Sequence, residues 1–298
     1  MTGPLRLAAP AKLNLSLAVV GRRADGFHEL AATLVLLDLE DDLRLEAASG
    51  PGGLEVIVDR AWFEADALPI EPTRNLAWRG LLAGLAGDAG DPGALALRLE
   101  KRIPAGAGLG GGSSDAAAAW RLARGWLGAD ERPTGDELRE MSGIGADVPF
   151  FAAAAPAAYV RGIGEWVEPL RVPIDPPWAV LALPPFRLST AAVFAELRPS
   201  DWSAPMPPDL APGRNDLLPA ARRLRPELDA VFDRVRRAGG EPHLSGSGST
   251  VFSLTDDPER AAAIAKALAG QQIRAMHRRV AVRAASIAPV LDDARPSV

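Results

Sequence analysis

The chain has 298 residues, enough for two lobes that share a cleft and for a core that needs no covalent cross-links. It has no cysteine and three widely separated histidines, which excludes disulfides and thiolate-bound metals and argues against a histidine-rich metal centre. With 33 basic and 38 acidic residues, its formal net charge is −5, which disfavours a general nucleic-acid binder.

Two apolar segments could at first be taken for membrane or targeting sequences. Phe150–Val160 is too short to span a bilayer and is interrupted by Pro156. Residues 5–20 could form the apolar core of a signal peptide, but Lys12 and Asn14 stand in the middle. A first β-strand of the mature fold explains this segment better, and we therefore expect a cytoplasmic protein.

The first predicted strand carries polar residues that could be functional. Residues 12–17 alternate strictly between polar and apolar side chains, which predicts a half-buried strand. Its polar face would carry Lys12, Asn14 and Ser16, while its leucines, Leu17 among them, would face a core. Only three of the 33 basic residues are lysines. Lys12 is therefore a candidate functional residue, although a merely solvated strand face is the simpler interpretation.

The remaining elements follow from periodicity and from turn and capping residues. The first half of the chain predicts strands at 30–39, 53–59 and 94–103, helices at 75–86 and 114–127, and a glycine-rich loop at 106–112. The second half predicts helices at 134–142, 189–197, 216–238 and 258–268, and strands at 159–167, 178–183 and 280–285. Because strands and helices do not alternate regularly, the pattern indicates an α+β fold. An alanine-rich stretch at 152–158 is the candidate lobe boundary.

The glycine-rich loop is the most informative segment. Its glycines allow the backbone to approach a ligand closely, and the helix that follows offers unpaired N–H groups and the positive end of its dipole to a phosphate. A flexible linker is the alternative, but linkers do not run directly into an alanine-rich helix. The candidate phosphate-binding residues are Pro104, Ala105, Gly106, Ala107, Gly108, Leu109, Gly110, Gly111, Gly112, Ser113 and Ser114.

Two well-known phosphate-binding loops do not account for this segment. A Walker A loop requires a lysine directly after its last glycine, where this chain has Ser-Ser-Asp. The dinucleotide fingerprint matches Gly106, Gly108 and Gly111, but it should follow a continuously apolar strand. The preceding strand alternates with charged residues, so a dehydrogenase is disfavoured.

Six segments together resemble the GHMP kinases, the superfamily of galacto-, homoserine, mevalonate and phosphomevalonate kinases. In the family's order they are APAKLNL at 9–15, GRRADGFHEL at 21–30, the loop at 104–117, GADVPFF at 145–151, NDL at 215–217 and LSGSGSTVF at 244–252. They extend over nearly the whole chain. The Asp-Gly-Phe-His segment and the triple glycine before Ser-Ser-Asp resemble the members that act on 4-diphosphocytidyl-2-C-methyl-D-erythritol.

The resemblance implies both a fold and an activity. The fold would have a ribosomal-S5-like N-terminal lobe (1–157) and a ferredoxin-like C-terminal lobe (158–298), with the active site in the cleft. With ATP and Mg²⁺ as cofactors, the enzyme would phosphorylate the 2-hydroxyl of that cytidylylated alcohol in non-mevalonate isoprenoid synthesis. No nucleic-acid or membrane partner is implied, and the protein would be a monomer or a weak homodimer. The alternatives are a kinase for another small alcohol and a non-catalytic sensor with the same fold.

The resemblance also assigns catalytic roles. Asp147 would accept the hydroxyl proton, and Lys12 would keep it ionised and offset charge on the phosphoryl oxygens. Asn14 would hydrogen-bond the erythritol portion of the substrate. Considered by itself, Asp147 two residues before Pro149 is typical of a helix cap.

Three residues would recognise the cytosine ring. Phe27 would stack on the base, His28 would hydrogen-bond its edge, and Phe194 would cover the opposite face. The simpler interpretation of His28 is a histidine in a surface turn. For Phe194 it is a helix residue that packs in the core. Asp115 remains ambiguous at this stage, because it could cap the following helix or reach Mg²⁺ through water.

Overall fold

The structure is a computed structural model that describes residues 3–58, 71–85, 92–170, 178–205, 207–208, 212–280 and 286–290. Its strands are β1 (Leu5–Arg22), β2 (His28–Ala47), β3 (Gly53–Val58), β4 (Leu95–Lys101), β5 (Ala157–Gly162), β6 (Trp166–Pro169), β7 (Trp178–Leu183), β8 (His243–Leu244), β9 (Val251–Thr255), β10 (Arg274–Arg279) and β11 (Ala288–Pro289). Its helices are α1 (Leu76–Leu85), α2 (Gly111–Trp126), α3 (Gly135–Met141), α4 (Val148–Ala152), α5 (Thr190–Glu196), α6 (Leu218–Leu224), α7 (Leu228–Arg237) and α8 (Pro258–Gly270).

The strands form two sheets, which confirms the α+β prediction. The larger sheet has the order β11-β1-β2-β4-β3, with β5 pairing on β2 and β6 on β5. It is antiparallel except for the β3–β4 pair. The smaller sheet is antiparallel, with the order β10-β7-β9-β8. A lobe boundary between residues 157 and 158 remains a prediction; it would fall within β5, and both β5 and β6 pair in the larger sheet.

Strand β1 is longer and more buried than its alternation predicted. It pairs with β2 along most of its length, and the register shifts between Asn14 and Ser16. Such a bulge adds one residue and reverses which face the following side chains occupy. Leu17 therefore lines the same cleft as Lys12 and Asn14, while Leu13 packs in a separate core cluster. The prediction that Leu17 lies opposite the polar residues was wrong.

Two predicted elements are divided in the structure. The helix predicted at 216–238 is interrupted before Pro226, where Arg225 leaves the helical region with φ −140° and ψ 83°. Proline lacks an N–H and disfavours helical geometry in the residue before it, so α6 and α7 are separate helices. The strand predicted at 159–167 is a hairpin of β5 and β6, with Gly164 at φ 122° in the turn.

Apart from the closing strand predicted at 280–285, the other predicted elements are present, most of them with shifted ends. Helix α2 begins at Gly111, three residues before the predicted start, because Gly111 and Gly112 already belong to its first turn. Of the predicted closing strand, Val280 forms a single bridge to Leu37, and residues 281–285 lie outside the described part of the chain. The ends of two further predicted elements, Asp59 and Ala86, also lie outside it.

Helices α1 and α2 pack on the larger sheet and on each other. Leucines of β2 and β4, such as Leu43 and Leu97, form a cluster with Leu81 of α1. The helices approach very closely where Gly80 meets Ala116, because a Cβ at Gly80 would lie 2.1 Å from the Ala116 carbonyl oxygen. This contact fixes α2, and with it the glycine-rich loop from which α2 begins.

A segment from the second half of the chain joins the free edge of β1. The amide of Gly213 donates to the Leu15 carbonyl at 2.8 Å, and the amide of Leu17 donates to the Arg214 carbonyl at 2.9 Å. Asp216 donates its amide to the Leu17 carbonyl, and its buried carboxylate accepts from the amide of Val19. The residues that connect α5 to α6 thus extend the larger sheet beside its bulge. In the part of the chain that is described, no helix has the length and apolar character needed to cross a bilayer.

Candidate active site

A cleft of about 500 Å³ opens where the glycine-rich loop faces β1 and the residues before α4. Its wall also includes Thr190 and Phe194 of α5 and the turn at Gly246 and Ser247. The cleft therefore combines a polar floor with side chains from distant parts of the sequence.

Lys12 and Asp147 meet at the floor of this cleft. The Lys12 Nζ lies 3.6 Å from the Asp147 Oδ2 and donates to the Asn14 Oδ1 at 2.5 Å and to the Gly108 carbonyl at 2.9 Å. Asp147 occupies the N-cap position of α4, but its side chain makes no capping hydrogen bond. Its side chain is 36% exposed, whereas Lys12 and Asn14 are buried. The carboxylate is thus held by the ammonium and remains open to the cleft.

The loop between β4 and α2 needs glycine at the points where it touches its surroundings. Gly106, Gly108 and Gly110 have φ of 67°, 78° and 73°, a region that other residues rarely adopt. A Cβ at Gly108 would lie 2.4 Å from the Ser245 carbonyl oxygen. Backbone bonds fix the loop on both sides, since Leu109 accepts from the Lys12 amide and Ala107 from the Thr250 amide.

Ten of the eleven predicted phosphate-loop residues, from Pro104 to Ser113, line the cleft. Ser114 does not, because it lies on the other side of α2 and lines a separate small cavity beside Phe151. Its hydroxyl is buried without a hydrogen-bond partner in the described part of the chain. The structure therefore places Ser113, and not Ser114, toward a ligand in the cleft.

The predicted cytosine-binding residues are only partly brought together. The His28 ring lies 5.4 Å from the ring of Phe194, which lines the cleft, at an interplanar angle of 32°. Phe27 is 59% exposed at the preceding turn and is not among the lining residues. Partial burial, reinforced by the positive charge of Arg22, lowers the pKa of His28. Its imidazole is therefore neutral at neutral pH and can both donate and accept hydrogen bonds.

Several residues at the site were not predicted from the sequence. Trp202 meets His28 edge to face at 5.9 Å, and Thr190 shares a hydrogen bond of 2.9 Å with Ser247. An apolar wall comes from β1 and β2, with Leu34 as one of its members. The long apolar run of β2 was a signal that both of its faces are covered. Nothing in the local sequence around Trp202 singles it out.

Asp115 does not cap α2, and a contact with Mg²⁺ through water remains a prediction. It is buried in α2, and its Oδ2 accepts from the Lys101 Nζ at 2.5 Å, while Lys101 also pairs with the buried Asp41. Burial raises the pKa of Asp115 well above its ordinary value, although the Lys101 ammonium opposes this shift. The two carboxylates in turn raise the pKa of Lys101 despite its burial.

Comparison with known proteins identifies the family. A model described as "GHMP kinases N terminal domain" matches residues 75–154, and one described as "GHMP kinases C terminal" matches residues 194–274. The 4-diphosphocytidyl-2-C-methyl-D-erythritol kinase of Thermus thermophilus is 39% identical over 277 residues, covering 87% of this chain and 91% of that protein. This chain belongs to the 4-diphosphocytidyl-2-C-methyl-D-erythritol kinase family. The enzyme of the same name from Neisseria meningitidis serogroup B is 34% identical, covering 86% of this chain and 87% of its own.

Solved structures agree with this membership. A crystal structure of a 4-(cytidine 5'-diphospho)-2C-methyl-D-erythritol kinase is 36% identical, with a TM-score of 0.73 over 92% of this chain and 98% of that one. Homoserine kinase from Cytophaga hutchinsonii, at 18% identity and a TM-score of 0.68 over 97% of this chain and 98% of its own, shares the fold. The predicted two-lobed GHMP kinase fold is confirmed. Like other members of its family, the chain is an ATP-dependent small-molecule kinase.

Proposed function

We propose that this chain transfers the γ-phosphoryl group of ATP to the 2-hydroxyl of 4-diphosphocytidyl-2-C-methyl-D-erythritol, giving the 2-phosphate and ADP. The reaction belongs to the non-mevalonate synthesis of isoprenoid precursors. The observation that carries the proposal is the 3.6 Å approach of the Lys12 Nζ to the Asp147 Oδ2 beneath the glycine-rich loop. The names of relatives that cover most of the chain support the choice of alcohol.

The proton and charge balance follows from these two side chains. The alcohol oxygen attacks the γ-phosphorus, the bond from that phosphorus to the bridging oxygen of ADP breaks, and the hydroxyl proton passes to the Asp147 carboxylate. Lys12 favours the ionised form of Asp147 and offsets negative charge on the transferring phosphoryl oxygens. Asn14 accepts from Lys12 through its Oδ1, so its amide NH₂ can donate to a hydroxyl of the erythritol portion.

The backbone of residues 104–112 would bind the ATP phosphates, together with Ser113 in the first turn of α2. All of these residues line the cleft, and the loop's N–H groups and the helix dipole favour an anion there. Ser114 is left out of this proposal, because it lines the separate cavity and its hydroxyl is buried.

The cytosine ring would bind at the opposite end of the cleft, next to Phe194. His28, which packs on Phe194 and Trp202, would hydrogen-bond the edge of the base. Phe27 is exposed at the adjacent turn and would cover the base from the solvent side. Stacking of an aromatic ring on a base contributes about 1–3 kcal/mol, by analogy with proteins that bind single strands.

Mg²⁺ is part of this proposal. Among the described residues, no group of three or more acidic or histidine side chains could enclose a metal ion. Mg²⁺ needs no such cage, because it commonly binds to one or two protein ligands together with substrate phosphates. Ser113 is a suitable ligand for the ion, because its hydroxyl lies close to the turn that carries Asp147. A Cβ at Gly145, in that turn, would lie 3.3 Å from the Ser113 Oγ. When bound, the ion would neutralise and align the phosphates, with Ser113 as a protein ligand.

An ADP-release assay tests the proposal with four alcohols: the cytidylylated methylerythritol, homoserine, mevalonate and galactose. We expect efficient turnover with the first alone. Efficient turnover with one of the others would identify a kinase for a different small alcohol, and no turnover with any would identify a non-catalytic sensor. A cytoplasmic location, a monomeric or weakly dimeric state and the absence of nucleic-acid and membrane partners remain predictions.

A further inference from the structure

A buried ion cluster lies beneath the glycine-rich loop and takes no part in the chemistry proposed above. Lys101, the last residue of β4, places its ammonium between the carboxylates of Asp41 on β2 and Asp115 on α2. All three side chains are almost completely buried. Burying charged groups is costly, and the attraction between them often does no more than offset this cost. Stability alone therefore does not explain why the cluster is there.

The cluster connects the two ends of the loop. Asp41 accepts from the backbone amides of Arg102 and Ile103, at 2.5 and 2.8 Å, and these are the first residues after β4. Asp115 belongs to the helix that begins where the loop ends. Because Lys101 binds both carboxylates, the start of the loop and the helix after it are held at a fixed separation.

The cluster also lies at the edge of the cleft itself. Lys101 and Asp115 are among the residues that line it. A Cβ at Gly111 would lie 3.4 Å from the Lys101 Nζ, so the ammonium is next to the first turn of α2. A movement of the cluster would therefore reach the backbone N–H groups that are proposed to bind phosphate.

We propose that Asp41, Lys101 and Asp115 are positioning residues that hold the glycine-rich loop in the shape that receives the ATP phosphates. This inference rests on the proposed placement of ATP in that loop. Its physical basis is preorganisation, because a loop fixed in its binding shape loses less conformational entropy when the ligand binds.

The substitution Asp115→Asn separates positioning from simple electrostatics by the sign of its effect. It adds no negative charge near the proposed phosphate site and nearly preserves the size of the side chain. If charge alone mattered, ATP would bind at least as tightly, because repulsion of its phosphates would be unchanged or reduced. If the cluster positions the loop, ATP binds more weakly, because the junction with α2 is loosened.

The experiment measures kcat, the KM for ATP, the KM for the alcohol and the melting temperature of Asp115→Asn and Asp41→Asn. We expect the KM for ATP to rise about tenfold in both, with the KM for the alcohol within about twofold of the parent value. The control is Glu131→Gln, which weakens the ion pair to Arg121 farther along α2 and should leave both constants unchanged. An unchanged or lower KM for ATP, with or without a lower melting temperature, would overturn the inference.

One further variant distinguishes failure of this inference from failure of the proposed function. Gly106→Ala strains the loop directly, since Gly106 has φ 67°, and among the described residues beyond its chain neighbours only Arg187 lies within 4 Å of the added Cβ. ATP affinity is measured by calorimetry, independently of turnover. If Gly106→Ala leaves it unchanged, the placement of ATP in the loop is wrong. If Gly106→Ala weakens ATP binding but the two aspartate variants do not, only the positioning role is wrong.

Discussion

Asp147 occupies a helix-capping position without using its carboxylate as a cap, and this leaves the group free for the cleft. We expect Asp147→Asn to lower kcat about 10²-fold or more, because the variant cannot accept the hydroxyl proton. Lys12→Ala should have an effect of similar size, since it removes the charge opposite the phosphoryl oxygens. Both are measured by ADP release, with circular dichroism as the check on folding.

The matched control is Asp257→Asn at the start of α8, where the side chain does cap, accepting from the Glu259 amide at 2.8 Å. Asparagine caps helices about as well as aspartate, so this variant should retain parental turnover. Parental turnover in Asp147→Asn or Lys12→Ala would remove that residue from the chemistry.

His28 should make the recognition of cytidine dependent on pH. Burial and Arg22 lower its pKa from the ordinary value of 6.5, so its neutral form persists into mildly acidic solution. We expect the KM for the alcohol to stay constant near pH 7 and to rise only below pH 6.5, where protonation removes the acceptor nitrogen. His28→Gln should abolish this dependence. The control is His243→Gln, which changes a histidine packed on Phe252 in the smaller sheet and should preserve the pH dependence of this KM. A pH dependence that persists in His28→Gln would contradict the role of His28 in binding cytosine.

At the scale of single residues, the sequence was informative where a residue was chemically out of place. Lys12 was recognisable as a rare lysine on an apolar strand, and Asp147 through a family motif. The simpler interpretations that the sequence allowed, a solvated face for Lys12 and a cap for Asp147, do not match the structure. Trp202 and the partners of Lys101 could not be predicted, because their contacts join segments far apart in the chain.

Helices α1 and α2 show how packing between elements controls the site. Because a Cβ at Gly80 would lie 2.1 Å from the Ala116 carbonyl oxygen, Gly80→Ala must push the two helices apart. We expect the free energy of unfolding to fall by about 1–3 kcal/mol, as for other overpacked cores. The KM for ATP should also rise, because α2 carries the end of the glycine-rich loop. Urea unfolding and steady-state kinetics measure the two effects.

Gly270→Ala is the corresponding control, because Gly270 ends α8 and, in the described part of the chain, no atom outside its own helix backbone and chain neighbours lies within 4 Å of an added Cβ. Alanine has the higher helix propensity, so this variant should be at least as stable as the parent. If Gly80→Ala were equally harmless, the close approach of α1 and α2 would not constrain the molecule.

At the scale of elements, the type and order of most strands and helices could be predicted, but α4, β10, β11 and the irregularities could not. The bulge of β1 places Leu17 on the cleft side, and its position depends on pairing with β2 and with residues 213–216 rather than on local alternation. Pro226 was a signal for the break between α6 and α7, but the helical periodicity on either side of it favoured a single helix.

For the molecule as a whole, Asn215 connects the backbone of the turn at Gly246 and Ser247 to β1. Its Nδ2 donates to the carbonyls of Leu244 and Gly246, and a Cβ at Gly246 would lie 3.1 Å from the Lys12 Nζ. We expect Asn215→Ala to lower the free energy of unfolding by about 1–3 kcal/mol, because carbonyl groups lose their donor. It should also lower kcat, because the turn against Lys12 is no longer held. A loss of stability with unchanged kinetics would contradict this connection.

The pairing of residues 213–216 with β1 limits how relatives can be recombined. The edge of β1 is completed by a strand-like segment some two hundred positions downstream, which bonds to the carbonyls of Leu15 and Leu17 and to the amide of Leu17. A chimera that joins the first half of one homologue to the second half of another therefore pairs β1, the strand that carries Lys12, with a segment from a different protein. A chimera that keeps this pairing intact would have to take β1 and residues 213–216 from the same homologue.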